Sequence, residues 1–100
     1  MKKSVFAVYD NKSASYLQPE FFKRKEQAVR SFEVACQKVD SDFFMYAEDF
    51  ALFHLGEYDD DTGILQPLQT PKMVITAVQA SVQHRDHYAS LELVKTDKAS

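Results

Sequence analysis

Apolar residues occupy both odd and even positions from Ser4 to Tyr9, in the run Ser-Val-Phe-Ala-Val-Tyr. A strand that is apolar on both faces is usually buried on both sides, so this segment is predicted to be a central strand. Asp10-Asn11-Lys12 ends it, because Asp and Asn favour turns through their own backbone hydrogen bonds. Ser13 to Phe22 reads as a loop or extended segment, with Pro19 excluding a central-strand position. From about Lys25 the period changes. Ala28, Val29, Phe32, Ala35, Cys36 and Val39 recur three and four apart, the apolar stripe of an amphipathic helix. Glu26 suits the dipole at its start, no good N-cap precedes it, and Asp40-Ser41-Asp42 closes it.

Phe43-Phe44-Met45-Tyr46 is a dense apolar run, and a second strand is expected from Phe50 to Tyr58, with Gly56 marking a bulge. The carboxylate-rich turn Asp59 to Gly63 follows, its final Gly supplying the positive φ that such a return needs. Ile64 to Leu68 returns as an edge strand, since Pro67 cannot donate to a ladder. Beyond it, Thr70-Pro71 resembles a helix start, whereas Met73-Val74-Ile75-Thr76 favours a strand. A strand over Lys72 to Val78 is the preferred reading, so the C-terminal third is an extra strand or a short helix. The predicted fold class is α+β: a small mixed sheet with a β-α-β-β core packed against one amphipathic helix. The long crossover between the first two strands allows them to lie parallel. One domain spans residues 1–95, with 96–100 a disordered tail. One helix leaves the second sheet face uncovered. The Phe43 to Tyr46 run, the C-terminal third or a second copy of the chain must then cover it, and a homodimer is expected.

Composition narrows the function classes. The 100 residues contain eight Phe, five Tyr, no Trp, two Gly and three Pro, which suits one globular domain and not a linker. No apolar run reaches the length of a membrane span. The apolar run at the start ends too soon for a signal peptide. The single Cys36 excludes an internal disulfide and suits a reducing cytoplasm. The net charge of −3 hides an uneven distribution: residues 1–30 carry +4, 31–61 carry −8 and 62–100 carry +1.

Three candidate chemistries stand out. Bases and aromatics interleave near the N-terminus, at Lys2, Lys3, Tyr9, Lys12, Tyr16, Lys23, Arg24, Lys25 and Arg30. A basic track with aromatic faces is how single-stranded DNA is held. Lys23-Arg24-Lys25 falls at a helix N-terminus, where free amides also favour phosphate, and Tyr9 and Tyr16 are the expected exposed stacking rings. Phe6, Phe21 and Phe22 read equally well as core. The acidic turn, Glu57, Asp59, Asp60 and Asp61, lacks the ligand alternation and closing Glu of an EF-hand loop, so no metal is expected there. As a solvated turn it discourages edge pairing; as a docking surface it would hold a basic protein partner. His84 and His87, three apart, do not converge with Cys36 or His54 on a zinc site, and His54 is expected on the wetter sheet face. Cys36 reads as a small core residue. No phosphate loop, catalytic triad or activated Cys is present, so neither enzyme activity nor a cofactor is expected.

Three segments carry a resemblance: Ser4-Val5-Phe6-Ala7-Val8-Tyr9-Asp10-Asn11-Lys12-Ser13-Ala14-Ser15-Tyr16, Arg30-Ser31-Phe32, and Leu55-Gly56-Glu57-Tyr58-Asp59-Asp60-Asp61-Thr62-Gly63. In this order they resemble the small non-structural protein of gokushoviruses, Microviridae-type bacteriophages with single-stranded DNA genomes. The likeness covers roughly residues 4 to 68 and departs at Lys23-Arg24-Lys25, where an Asn-type helix cap would be expected. It implies a DNA-binding protein in the cytoplasm of the infected bacterial host, absent from the virion. Such a protein would regulate DNA replication, or the switch to single-stranded DNA synthesis and DNA packaging. The alternative is a non-catalytic adaptor that docks on the replication initiator or a host replication protein through the acidic middle segment. The resemblance brings no catalytic residues.

Overall fold

The computed structural model describes residues 1–82. The expected tail, His84, His87 and the end of the predicted domain lie outside the described residues. Five strands, two α-helices and a 3-10 turn follow in the order β1 (Lys2–Asp10), β2 (Ser15–Tyr16), β3 (Glu20–Phe22), α1 (Lys25–Gln37), α2 (Asp42–Met45), the 3-10 turn Ala47–Asp49, β4 (Phe50–Asp59) and β5 (Ile64–Thr76). The sheet order is β2-β1-β4-β5, and β3 also pairs with β1. β1 is therefore central, as its two apolar faces require, and β5 is the edge strand. The α+β class is as predicted. The option of parallel first and second long strands is not: β1 and β4 are antiparallel, with Asp10 opposite Phe50.

The reason lies in residues 13–22. Tyr16 pairs with Tyr9, and Phe22 pairs with Ser4. The chain thus returns along β1 before α1 begins. The helix then joins β3 to β4, and these two run the same way on opposite sides of β1. This is a split β-α-β unit, and the inserted return strand reverses the sense of the crossover.

One face of the sheet meets the helices. Phe6, Phe50, Leu52 and Ile75 form the core with Ala28, Phe32 and Cys36 of α1 and with Ala77 and Ala80; Val8, Phe22, Val29, Phe43 and Val74 pack around them. α1 is closed at its start by the Gln27 side chain, which accepts from the Arg24 N–H at 3.3 Å. Ser41 Oγ donates to the Ala35 carbonyl at 3.0 Å and accepts from Phe44 N–H at 3.2 Å, so one hydroxyl ends α1 and starts α2. Val39, on the predicted stripe, lies past the helix and is exposed. Phe43 packs edge-on against Phe50, with ring centroids 4.8 Å apart, and lies 5.8 Å from Phe32. Phe44, Met45 and Tyr46 point outward.

The predicted strand over Lys72 to Val78 ends at Thr76, and residues 77–82 are helical. A capping box makes this switch: Thr76 Oγ1 accepts from Gln79 N–H at 3.1 Å, and Gln79 Oε1 accepts from Thr76 N–H at 3.0 Å. Gln37 ties this helix to α1 through the Ser81 carbonyl. His54 sits on the helix-covered face, not the wetter one. Its ring stacks on Phe6 at 4.9 Å, and Nε2 donates to the Gly56 carbonyl at 3.0 Å. A residue that follows Leu52 by two shares its face, and Leu52 is core.

Cys36 is fully buried. Burial, and then the nearby Glu33 carboxylate, push its thiol up to about 11. A thiol-specific reagent at neutral pH is therefore expected to label Cys36 only at the rate at which the chain unfolds. Rapid labelling of the native protein would contradict this packing.

Candidate functional site

Along β1, Phe6 and Val8 enter the helix-covered core, so Lys3, Val5, Ala7 and Tyr9 face the other way. Pairing extends that second face across the sheet. Phe21 lies opposite Val5, Tyr16 opposite Tyr9, Phe53 opposite Ala7, Tyr58 opposite Lys3, and Met73 opposite Phe53. Five aromatic rings gather here in two groups. Tyr9, Tyr16 and Phe53 form a triangle with centroid separations of 4.8, 6.0 and 5.6 Å. Phe21 and Tyr58 form a second group at 5.2 Å. Tyr16 is 40% exposed and Phe21 47%, while Tyr9, Phe53 and Tyr58 are half-buried. Among the described residues α1 does not lie on this face, and its Tyr9–Phe53 end is bordered by the short helical turn Ala47–Asp49. α2 packs on the opposite side through Phe43, and residues 77–82 do so through Ala77 and Ala80, while Val78 borders the open face beside Tyr9, Phe53 and Met73.

The two tyrosines singled out from the sequence therefore meet on one open face. Phe53 and Tyr58 were hidden in a strand apolar at both parities. Phe21 was hidden beside Phe22, although neighbours in a strand must face opposite sides.

The basic residues divide. Lys3 shares the open face. Lys23, Arg24 and Lys25 are exposed and follow β3 where the chain crosses from the sheet edge to the helix layer. Ser4 pairs with Phe22, so this cluster stands at the same end of β1 as Lys2 and Lys3. Lys2 has the parity of the helix-covered face. Lys12 lies at the far end of β1, in a surface dip shared with Asp10, Asp42 and Asp49. Arg30 is exposed on α1, off the Ala28–Phe32–Cys36 side, and is not part of the open face.

The acidic turn is occupied by the protein's own charges. The Met1 ammonium donates to Asp60 Oδ1 at 2.8 Å and Asp61 Oδ2 at 2.7 Å, and Lys3 Nζ lies 3.8 Å from Asp60. Hydrogen bonds to Asp60 and Asp61 raise the amine to about 10, and the amine in turn holds the Asp60 carboxyl below its usual range. Glu57 accepts from Ser4 Oγ at 3.1 Å and lies 3.3 Å from His54 Nε2. Asp59, Asp60 and Asp61 bring three carboxylates within 4.8 Å of one another, but a divalent ion would have to displace the ammonium. Melting temperatures with and without millimolar Mg²⁺ or Ca²⁺ are accordingly expected to agree, because a ligand that binds only the native state must raise them. A saturable rise would overturn that expectation.

Among the described residues no helix is long and apolar enough to cross a membrane. No curated protein and no solved structure matches the chain. A protein-family match, however, spans residues 3–80 and so takes in all but the first residue of β1, the whole of β4 and β5, α1 and the open face. The chain belongs to the phage ORF5 protein family.

Proposed function

We propose that this phage protein is a non-catalytic regulator that binds single-stranded DNA on the open face of its sheet. The observation that carries the reading is the face itself: five aromatic rings on one side of a sheet whose other side holds the core. Unpaired bases stack on such rings, and every base has a π-face, so the binding tolerates sequence variation. Duplex bases are stacked on one another and cannot reach the rings. The resemblance to gokushovirus non-structural proteins supports the finer placement. There the protein would act in the host cytoplasm, outside the virion, at the switch from duplex replication to single-stranded synthesis and packaging.

Charge has a secondary role in this reading. The net charge is −3, Lys3 is shared with Asp60, and Lys12 has acidic neighbours. Among the described residues Lys23, Arg24 and Lys25 are the remaining concentrated cations, at the rim. Three phosphate contacts contribute a slope of about −2 in log affinity against log salt, at roughly 0.7 per contact on a single strand.

The test is binding of labelled single-stranded and double-stranded DNA across a salt series. Single strands are expected to bind preferentially, and replacing Lys23, Arg24 and Lys25 together by Gln should flatten the slope by about two. An adaptor working through its acidic segment predicts the reverse. Its triple basic variant is harmless, while neutral residues at Asp59, Asp60 and Asp61 abolish capture of a basic partner. The adaptor has less support, because Asp60 and Asp61 already accept from Met1.

A further inference from the structure

We propose that the open face contains two separate stacking sub-sites that one nucleic-acid strand bridges, lying along β1. The proposal rests on the single-strand reading above and adds a length requirement to it. The first sub-site is the Tyr9–Tyr16–Phe53 triangle, and the second is the Phe21–Tyr58 pair. Tyr16 pairs with Tyr9 and Phe21 with Val5, four positions away along β1. At ~3.3 Å per residue the sub-sites are about 13 Å apart. A single base cannot touch both. With stacked bases rising about 3.4 Å each, some four or five nucleotides span the gap, and fewer do so if the strand is stretched.

Between the sub-sites β1 contributes Val5 and Ala7, both buried, and Gly56, opposite Val5, has no side chain. Beside Gly56 an apolar notch of about 240 Å³ is lined by Val5, Leu55, Leu65 and Pro67. The rim carries concentrated positive charge beside the second sub-site, with exposed Lys23 to Lys25 past Phe21, whereas Lys12 near the first is offset by Asp10, Asp42 and Asp49. That charge fits a phosphate backbone better than a second copy of this acidic chain.

The experiment is equilibrium binding of labelled dT2, dT4, dT6 and dT8 at low salt to the full chain and to Tyr16→Ala, Phe21→Ala and Phe21→Leu. Both rings are on the surface of edge segments, and circular dichroism checks that each variant folds. Phe21→Leu keeps the apolar contact while removing the π-face. Affinity is expected to climb by about tenfold or more between dT2 and dT6 and then level off. Each variant should erase that step and leave dT2 binding within about threefold of the parent, because the other sub-site remains. If dT8 binds and the step survives every variant, the two-site proposal is wrong while single-strand binding stands. If no oligonucleotide binds, and light scattering shows a dimer that Tyr16→Ala or Phe21→Ala dissociates, the face belongs to a second copy and both readings fall.

Discussion

Alanine at both Tyr16 and Phe21 is expected to lower affinity for a single-stranded octanucleotide by at least about thirtyfold. Each stacked base contributes about 1–3 kcal/mol, so losing one ring from each group removes some 2 kcal/mol at the lower bound. The salt slope should barely change, because stacking carries no charge. The triple basic variant should behave in the opposite way, flattening the slope, with an affinity deficit that is largest at low salt and shrinks as salt rises. The two sets of side chains thus separate by the form of the binding curve and not only by its midpoint. The double variant should remain folded. Tyr16 and Phe21 are exposed, belong to the two short outer strands, and are absent from the core around Phe6 and Phe32. A double variant that binds as tightly as the parent would remove the open face from the account.

Gly56→Ala should be the most destabilising small substitution on the sheet. A Cβ at this position would stand 2.5 Å from the Gln66 carbonyl oxygen and 2.8 Å from Pro67 Cα. Both obstacles are backbone of β5, so no side chain can swing away. The ladder is irregular here: Val5 pairs with Gly56 while Phe6 pairs with His54, leaving Leu55 as the extra residue of a bulge. On the other side His54 pairs with Lys72 but Gly56 with Pro67, so residues 68–71 leave the ladder altogether. The close approach of β4 and β5 depends on this one absent side chain. Overpacking of this kind costs about 1–3 kcal/mol, and the upper half of that range is expected because backbone must move. That corresponds to a melting temperature lower by about 10–20 °C. Gly63→Ala is the control. Gly63 has φ +74° but open space around it, so only the left-handed conformation is penalised, by about 1 kcal/mol. Equal melting temperatures for the two variants would contradict the close β4–β5 approach.

The parts of the fold legible in the sequence are those where one pattern had one explanation. Ser4 to Tyr9 is apolar at both parities because β1 has neighbours on both edges, a core on one face and rings on the other. Ala28, Phe32 and Cys36 keep helical spacing because α1 covers one face only. Gly63 follows from the tight turn. Other features depended on tertiary context. β2 and β3 are two and three residues long and flank Pro19; they are held by pairing with β1, so the sequence of Ser13 to Phe22 reads only as a loop or extended segment, without its pairing. Missing that return strand led to the parallel option. The helical switch after Thr76 was recoverable, since Thr76-Ala77-Val78-Gln79 is a capping-box pattern, but β-branched Val74 and Ile75 drew the strand onward through Val78. As for the site, periodicity cannot say which face of a doubly apolar strand is covered. Tyr9 and Tyr16 stood out by their neighbouring lysines. Phe53 and Tyr58 had no such marker, and Arg30 had the charge but belongs to the wrong layer.

The central claim is that nucleic acid meets the uncovered sheet face. Titrating isotopically labelled protein with a single-stranded octanucleotide at low salt, and following amide and aromatic signals residue by residue, tests it most directly. The account predicts the largest shifts at Tyr9, Tyr16, Phe21, Phe53 and Tyr58, smaller ones at Lys3 and Lys23 to Lys25, and little change at Ala28, Phe32 and Cys36. Shifts confined to α1 or to the acidic turn, or no shifts at any ratio of DNA to protein, would contradict it.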